Sequence, residues 1–329
     1  MRQITQSDCL NEPEKVFRHY VLERERIRFK KETGWDPQNL TEDVVLKEWK
    51  FCNIFREDDK VTKHYLAWIA PLVKQVKGKY LNKVDPDVIT AIVANTQMYR
   101  TINWPPTLNN IGLLGEFLPL AKKELAIRKE LEMHQAGEKT CTGAYLLPQC
   151  GRKGDRKIVV VMDSVQEVYD RKKEWMPVLL ENRLQDIWHW FRHHISMSGP
   201  FIAYEVITDL SYNLLRDATD RYTWANAGPG ALRGINRLRG RDKDKNLKPD
   251  AACRELQLIM QMMRGYFENA SRTEPDSKVR SLMLDSLSRV NMRTAEHTMC
   301  EYDKYCRVIT GQGTPRAKYK PSFGEFDVR

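Results

Sequence analysis

The chain has 329 residues, 54 Lys and Arg against 44 Asp and Glu, and a net charge of +10. This length allows one large or two modest domains, the 41% hydrophobic content supplies a core, and the basic excess favours a polyanionic partner. Seven cysteines without a Cys-x-x-Cys exclude a disulfide framework and a zinc ribbon, and the lack of a signal-peptide pattern or a membrane-length apolar run points to a soluble protein with reduced thiols in a cytoplasm.

Most of the sequence reads as helix. Glu14 to Lys31 is charged and helical and stops at Gly34. Thr41 with Glu42 and Asp43 is a helix start that continues through Trp49, Phe51 and Phe55. Thr62 to Val76, Pro86 to Tyr99 and Leu118 to His134 read likewise. Ala144 to Met162 is the exception: two apolar runs, Ala144–Leu147 and Ile158–Met162, flank Gly151-Arg152-Lys153-Gly154-Asp155, the pattern of a β-hairpin with a basic tip. Helices resume at Ser164. Gly199-Pro200 opens another, with Pro at the first turn. Arg239 to Asp250 is a charged loop. The expected organisation is one mainly helical domain over 1–309, with a small β-hairpin insert at about 142–163 and a basic C-terminal arm over 310–329.

Several segments carry chemistry. Asn226-Ala227-Gly228-Pro229-Gly230-Ala231-Leu232-Arg233-Gly234 places glycines before a helix-compatible run with Arg233, Arg237, Arg239 and Arg241. Glycines let backbone turn and approach another molecule, and a helix start adds a positive dipole end, so the segment suits a nucleic-acid phosphate; a plain turn is the equal alternative. His189 and His193 share a helix face, but Trp190 stands where a zincin motif needs Glu, which favours core-edge packing over a metal. Glu205 and Asp209 stand four apart and repel unless a cation, a substrate amine or an arginine lies between them. In Thr294 to Ile309, the residues Glu296, Cys300, Asp303, Lys304 and Arg307 form a polar stripe beside the apolar Ala295, Met299, Tyr302 and Cys306. Asp303–Arg307 and Glu301–Lys304 are surface pairs on the plain reading; on the functional one, a carboxylate and a lysine at a cleft edge serve as general base and leaving-group stabiliser. No P-loop and no dinucleotide-binding fingerprint occurs, and no motif calls for a cofactor or a metal, though a divalent ion is not excluded.

Taken in order, these segments resemble the phage α-glutamyl/putrescinyl-thymine pyrophosphorylase family, the amino acid:DNA transferases. The same module forms the helical domain of 5-hydroxymethyl-deoxyuridine DNA kinases. The resemblance rests on Phe51-Cys52-Asn53 with Arg56 and Asp59, on Tyr99-Arg100 with Asn103, and on Thr142-Gly143-Ala144-Tyr145. It continues through Gly199 to Glu205, Asn226 to Ala231 with Arg233-Gly234, and Glu296-His297 with Cys300 to Tyr305. It implies a helix-hairpin-helix DNA-glycosylase-like fold and the hypermodification of thymine in phage DNA within the host cytoplasm, which would shield the genome from restriction. An amino acid or polyamine amine would replace the phosphate or pyrophosphate on the 5-methylene of 5-hydroxymethyluracil. The implied partners are double-stranded DNA, the amine donor and the phage 5-hydroxymethyluracil DNA kinase, with no membrane.

Candidates follow for each part of that chemistry. The proton acceptor is Asp303 or Glu296, with Glu205 and Asp209 as second choices. Lys304, Arg307, Arg56 and Arg100 would meet the leaving phosphate, with Asp59 and Asn103 beside them as phosphate or amino-acid contacts. Asn226, Gly228, Pro229, Gly230, Arg233, Gly234 and Arg237 would hold the duplex. Tyr204 and Trp224 would line a pocket for an extruded base. A thiolate at Cys300 adding to the ring is a further route to expel phosphate. Two other functions compete: a glycosylase acting on modified bases, and a non-catalytic DNA-binding partner of the kinase.

Overall fold

Pro13, Pro86, Pro105, Pro200, Pro229 and Pro249 each open a helix, where a missing N–H costs nothing and the fixed φ is already helical. Side chains cap others: Thr5, Asp43, Asp276 and Asn291 accept from first-turn amides. The computed structural model describes residues 3–142 and 156–320. In chain order the helices begin with α1 (Gln6–Asn11), α2 (Pro13–Glu32) and α3 (Val44–Glu48). Then come α4 (Lys60–Val73), α5 (Pro86–Ile102), α6 (Pro105–Ile111), α7 (Leu120–Gln135) and α8 (Lys157–Asp170). α9 (Lys172–Leu180), α10 (Leu184–His194) and α11 (Pro200–Leu210) follow. The last are α12 (Pro229–Leu238), α13 (Pro249–Thr273), α14 (Ser277–Arg289) and α15 (Met292–Ile309). The architecture is mainly α, as expected. Extended pairing among the described residues is an isolated antiparallel bridge between Trp49 and Lys318.

By contacts the chain forms two units, where the sequence reading drew one domain over 1–309. The first joins Met1–Asp59 to Arg221–Arg329, and the second is Lys60–Asp220. In the first, α15 is the central helix and packs on α1, α2, α3, α12 and α13. Phe17, Tyr20, Phe51, Tyr302 and Tyr305 form a buried aromatic cluster around it with edge-on and tilted rings. The arm after α15 packs back on this unit: Lys50 N–H donates to the Ala317 carbonyl and Tyr319 N–H to that of Glu48. In the second unit α5 is the core, buried from Val88 to Ile102 and flanked by α4, α8 and α11.

Two expectations about elements are corrected. Ile158–Met162 belongs to helix α8 and is not a strand. Its β-branched run has strand propensity, but Ile158, Val161, Met162, Val165 and Val168 recur at helical spacing and are buried, and that face packs on α5. The other proposed strand, Ala144–Leu147, lies outside the described residues. The helix from Asp43 does not run to Phe55; α3 ends at Glu48 and only a 3-10 turn, Arg56–Asp58, follows. Tertiary partners take the backbone groups of that stretch: Cys52 N–H donates to Glu301 at 3.0 Å and Asn53 N–H to Asp59 at 2.9 Å. The charged loop after α12 is present as expected, with Glu255 of α13 pairing Arg239 and Arg241. Among the described residues no helix is long and apolar enough to cross a membrane.

Candidate functional site

Helices α12 and α15 approach closely because two glycines leave room. A Cβ on Gly234 would lie 2.1 Å from the Met299 carbonyl oxygen, and one on Gly230 would lie 2.5 Å from the Cys300 sulfur. Gly228 is an extended N-cap with φ −74°, Pro229 takes the first turn, and no residue from Asn226 to Gly234 has positive φ. The glycines therefore do not form the turn read from the sequence; Gly230 and Gly234 serve helix contact. That contact seats two arginines of α12 on α15. Arg233 Nε lies 3.0 Å from Asp303 Oδ2, Arg237 Nε 2.8 Å from Oδ1, and Arg307 Nε 3.3 Å from Oδ2. Asp303 is fully buried, so an amine reaches it only by displacing a guanidinium. Three guanidiniums face the Asp303 carboxylate, and with Asp244 also in the field of Arg233 and Arg237 the cations still outnumber the carboxylates. The side chains of Arg233 and Arg307 keep 33% and 32% of their surface exposed, and so present that excess outward.

A second cluster of the same unit joins the loop before the 3-10 turn to α15. Arg24 of α2 donates to the carbonyls of Phe51 and Cys52, fixing the loop. Asn53 closes it by donating Nδ2 to the Asp58 carbonyl. Lys304 lies 2.7 Å from Glu301 and over the Phe51 ring, while Arg293 pairs with Glu296 at 2.6 Å. Glu296, His297 and Glu301 are buried; the two pairs read as surface features, Asp303–Arg307 and Glu301–Lys304, both have a buried carboxylate. Arg56 NH1 lies 3.5 Å from Cys52 Sγ and 3.4 Å from Asp59 Oδ2. Burial pushes the Cys52 thiol up to about 12, with the Glu301 and Asp59 carboxylates adding to it. Burial, then Glu296 and Glu301, raise Cys300 to about 12 as well. Near neutrality Cys300 keeps its proton, which counts against a thiolate at that position. Burial also raises Asp59, against the pull of Arg56 and the Asn53 amide.

In the second unit the sequence candidates Arg100 and Asp209 meet. Both are buried, and Arg100 Nε and NH2 grip the two oxygens of Asp209 in a fork. Arg100 also donates to Thr62 at 3.1 Å and to Asn103 at 3.4 Å. An arginine therefore answers the charge of Asp209, the alternative that the spacing with Glu205 had left open. Asn103 ends α5 in the left-handed region, φ 48°, with its N–H on the Tyr99 carbonyl. Tyr204 and Glu205 lie buried on α11. Trp224 and Asn226 belong to the first unit, Trp224 buried and Asn226 partly so. The histidines of α10 sit at a core edge: His193 and His194 bond the carbonyls of His189 and Trp190, and Ile187, Trp188 and Phe191 fill the buried face.

Sequence reasoning gives no site role to three residues of the first unit's second cluster. Arg24 lies on α2, which reads as an ordinary charged helix, and Glu301 reads as half of a surface pair. Beyond that, Glu301 and His297 enter only through the segments that carry the family resemblance.

A family model for the helical domain of 5-hmdU DNA kinase matches residues 12–314. The curated 5-hmdU DNA kinase of Bacillus phage SP10 is 26% identical over 233 residues, covering 65% of this chain and 34% of that protein. The matched part thus spans about a third of the length of that relative. No solved structure matches the chain significantly. With a match over most of its length, the chain belongs to the family of the 5-hmdU DNA kinase helical domain.

Proposed function

We propose that this chain acts in the hypermodification of thymine in phage DNA, as an amino acid:DNA transferase. The amine of an amino acid or polyamine attacks the 5-methylene of phosphorylated or pyrophosphorylated 5-hydroxymethyluracil. A C–N bond forms, the C–O bond to the phosphate breaks, and (pyro)phosphate leaves with the electron pair. The ammonium must first lose a proton. The reading takes the helical scaffold to be helix-hairpin-helix glycosylase-like and DNA and the phage kinase to be partners.

The observation that carries the proposal is the arginine triad on Asp303, in a chain whose family is named for 5-hmdU DNA. Arg233, Arg237 and Arg307 hold an excess of positive charge, partly exposed, which suits an oxyanion of DNA or of the leaving phosphate. Asp303 on this reading is a positioning residue that fixes Arg233 and Arg237 by hydrogen bonds and holds Arg307 by charge. The proton acceptor is then Glu296, held by Arg293, which must yield before Glu296 takes a proton, with Glu205 second; Asp209 is committed to Arg100. Lys304, Arg56 and Asp59 support substrate contacts in the first unit, whereas Arg100 with Asn103, tied to Asp209 in the second, is left a structural role. Asn226, Gly228 and Pro229 bring the start of α12 to the duplex, with Gly230 and Gly234 seating its arginines. Tyr204 in the second unit and Trp224 in the first are each, separately, aromatic candidates for stacking on an extruded base.

The test is nucleoside mass spectrometry on duplex DNA containing 5-phosphomethyl-deoxyuridine, incubated with protein and a pool of glycine, serine, glutamate and putrescine. The expected product has the mass of one amine adduct, with a parallel reaction on the pyrophosphorylated base. Glu296→Gln should abolish the adduct while leaving DNA affinity within about twofold, since a neutral isostere retains hydrogen bonding. No adduct on either base, from protein that binds DNA, would refute the transferase reading.

A further inference from the structure

Three side chains of different ligand chemistry converge in the first unit, apart from the arginines on Asp303. A cysteine, a carboxylate and a histidine, Cys52, Asp59 and His297, bring ligand atoms within 4.8 Å of one another. We infer that they form a three-ligand site for a divalent transition cation of the zinc class, with a fourth position open to water or a substrate oxygen.

The surroundings are built for it. Each ligand comes from a fixed element. Arg24 and Glu301 pin the main chain at Cys52. Asp59 accepts the Asn53 amide through Oδ1, which leaves Oδ2 on its other side. His297 projects from the interior of α15 and is 8% exposed. In a tetrahedral zinc site, bond lengths near 2.0–2.3 Å set neighbouring ligand atoms about 3.3–3.8 Å apart. Atoms within 4.8 Å of one another need to close by at most about 1–1.5 Å, within the reach of side-chain rotation. The ligand set is selective too. A thiolate and an imidazole favour zinc or cobalt, whereas magnesium and calcium require oxygen cages.

Arg56 lies against the Cys52 sulfur and the Asp59 carboxylate. It supplies positive charge at the place a metal would, and so acts as a built-in competitor. An incoming dication displaces the thiol proton to solvent and takes over the charge on Asp59, and Arg56 swings aside. The site does not depend on the transfer reaction proposed above, so either can fail alone.

Cobalt(II) is the probe. The tag-free full chain is stripped with chelator, titrated with Co²⁺ and followed by absorption, then back-titrated with Zn²⁺. A single equivalent should bind with a thiolate-to-cobalt charge-transfer band and tetrahedral d–d bands. Cys52→Ser should lose the charge-transfer band. His297→Ala and Asp59→Asn should weaken binding by more than the roughly 10–100-fold that follows loss of an outer-shell partner. Arg56→Gln should tighten it on the order of tenfold by removing the competing charge. Cys9→Ser, a buried thiol elsewhere in the unit, should leave the spectrum unchanged. Thermal melts of each variant separate loss of ligand from loss of fold. Absence of stoichiometric uptake by wild type, or a thiolate band that survives Cys52→Ser, overturns the site.

Discussion

Gly234→Ala isolates the contact that places the arginines. The new Cβ would lie 2.1 Å from the Met299 carbonyl oxygen, with the carbonyl carbon at 2.8 Å. Neither atom can rotate away, because both belong to the backbone of α15. Relief requires the helices to separate by about 1 Å, and a gap of that size forfeits a quarter to a half of the dispersion energy across it. Against this, Ala improves helix propensity over Gly by roughly 0.5–1 kcal/mol. Overpacking of this kind costs about 1–3 kcal/mol or more, so the expected net loss is about 2 kcal/mol. For a unit of this size that lowers the Tm by about 4–8 °C. Two further glycines calibrate the argument. At Gly230 the obstacle is the Cys300 sulfur at 2.5 Å, a side-chain atom that can turn, so Gly230→Ala should cost less. Gly265, exposed on α13, has nothing within 4 Å, so Gly265→Ala should stabilise by about 0.5–1 kcal/mol. The assay is urea and thermal denaturation of the three variants beside wild type. An order in which Gly234→Ala is as stable as Gly265→Ala would refute the close-approach reasoning.

Two more expectations concern buried charge. Asp209→Asn leaves the Arg100 guanidinium buried without its counter-charge, and should cost about 3–5 kcal/mol in urea unfolding, whereas replacing both partners by apolar residues of similar volume should recover much of it; equal losses for single and double variants would sink this. Burial alone would raise the Asp43 carboxyl, but hydrogen bonds from His19, Tyr305 and the Leu46 amide outweigh it and hold it below the usual carboxylate range. Its folded value lies below its unfolded one of about 3.9, so its contribution is complete above that pH and is lost as pH falls through the folded value. The stability difference between wild type and Asp43→Asn should therefore be undiminished near pH 5 and shrink below about pH 4; a difference that grows as pH falls from about 4 would contradict it.

Long periodic segments with local start signals were readable from sequence. α2, α4, α5, α7 and α15 fall within a few residues of their expected bounds: a proline opens α2 and α5, side chains cap α5 and α15, and the helical period alone marks α4 and α7. What failed depends on partners distant in sequence. The stretch after α3 leaves the helix because its amides find Glu301 and Ala317, far along the chain. Ile158–Met162 carries both a β-branched composition and a helical period, and only a buried α5 to pack against decides between them. A glycine is ambiguous in the same way: lack of a Cβ permits a turn or a close helix contact, and Gly230 and Gly234 took the second. At the candidate sites, the residue types were found one by one. Asp303 was matched to Arg307 one turn away, but not to Arg233 and Arg237 on another helix. Arg100 and Asp209 were each noted, without the pairing that joins them.

The two ion clusters contrast in a way that bears on function. Arg100 and Asp209 grip each other in a fork, are buried with 2% and 0% of their side chains exposed, and Arg100 also donates to Thr62 and Asn103. A ligand for either group would have to break this pair. The Asp303 cluster sets three cations around one buried anion, with the exposed Asp244 near two of them, and two of the cations remain a third exposed. Mutual repulsion among three guanidiniums would disperse them in water, and the carboxylate beneath offsets only part of it. An arrangement that keeps unlike numbers of charges together, with the excess sign facing outward, gains most when an anion arrives: a phosphate accepts hydrogen bonds from several guanidinium forks at once and relieves their repulsion. On the proposed function, the carboxylate that reads as a base from the sequence would instead anchor a phosphate site, and the proton acceptor would be Glu296, on the same helix and oriented by Arg293.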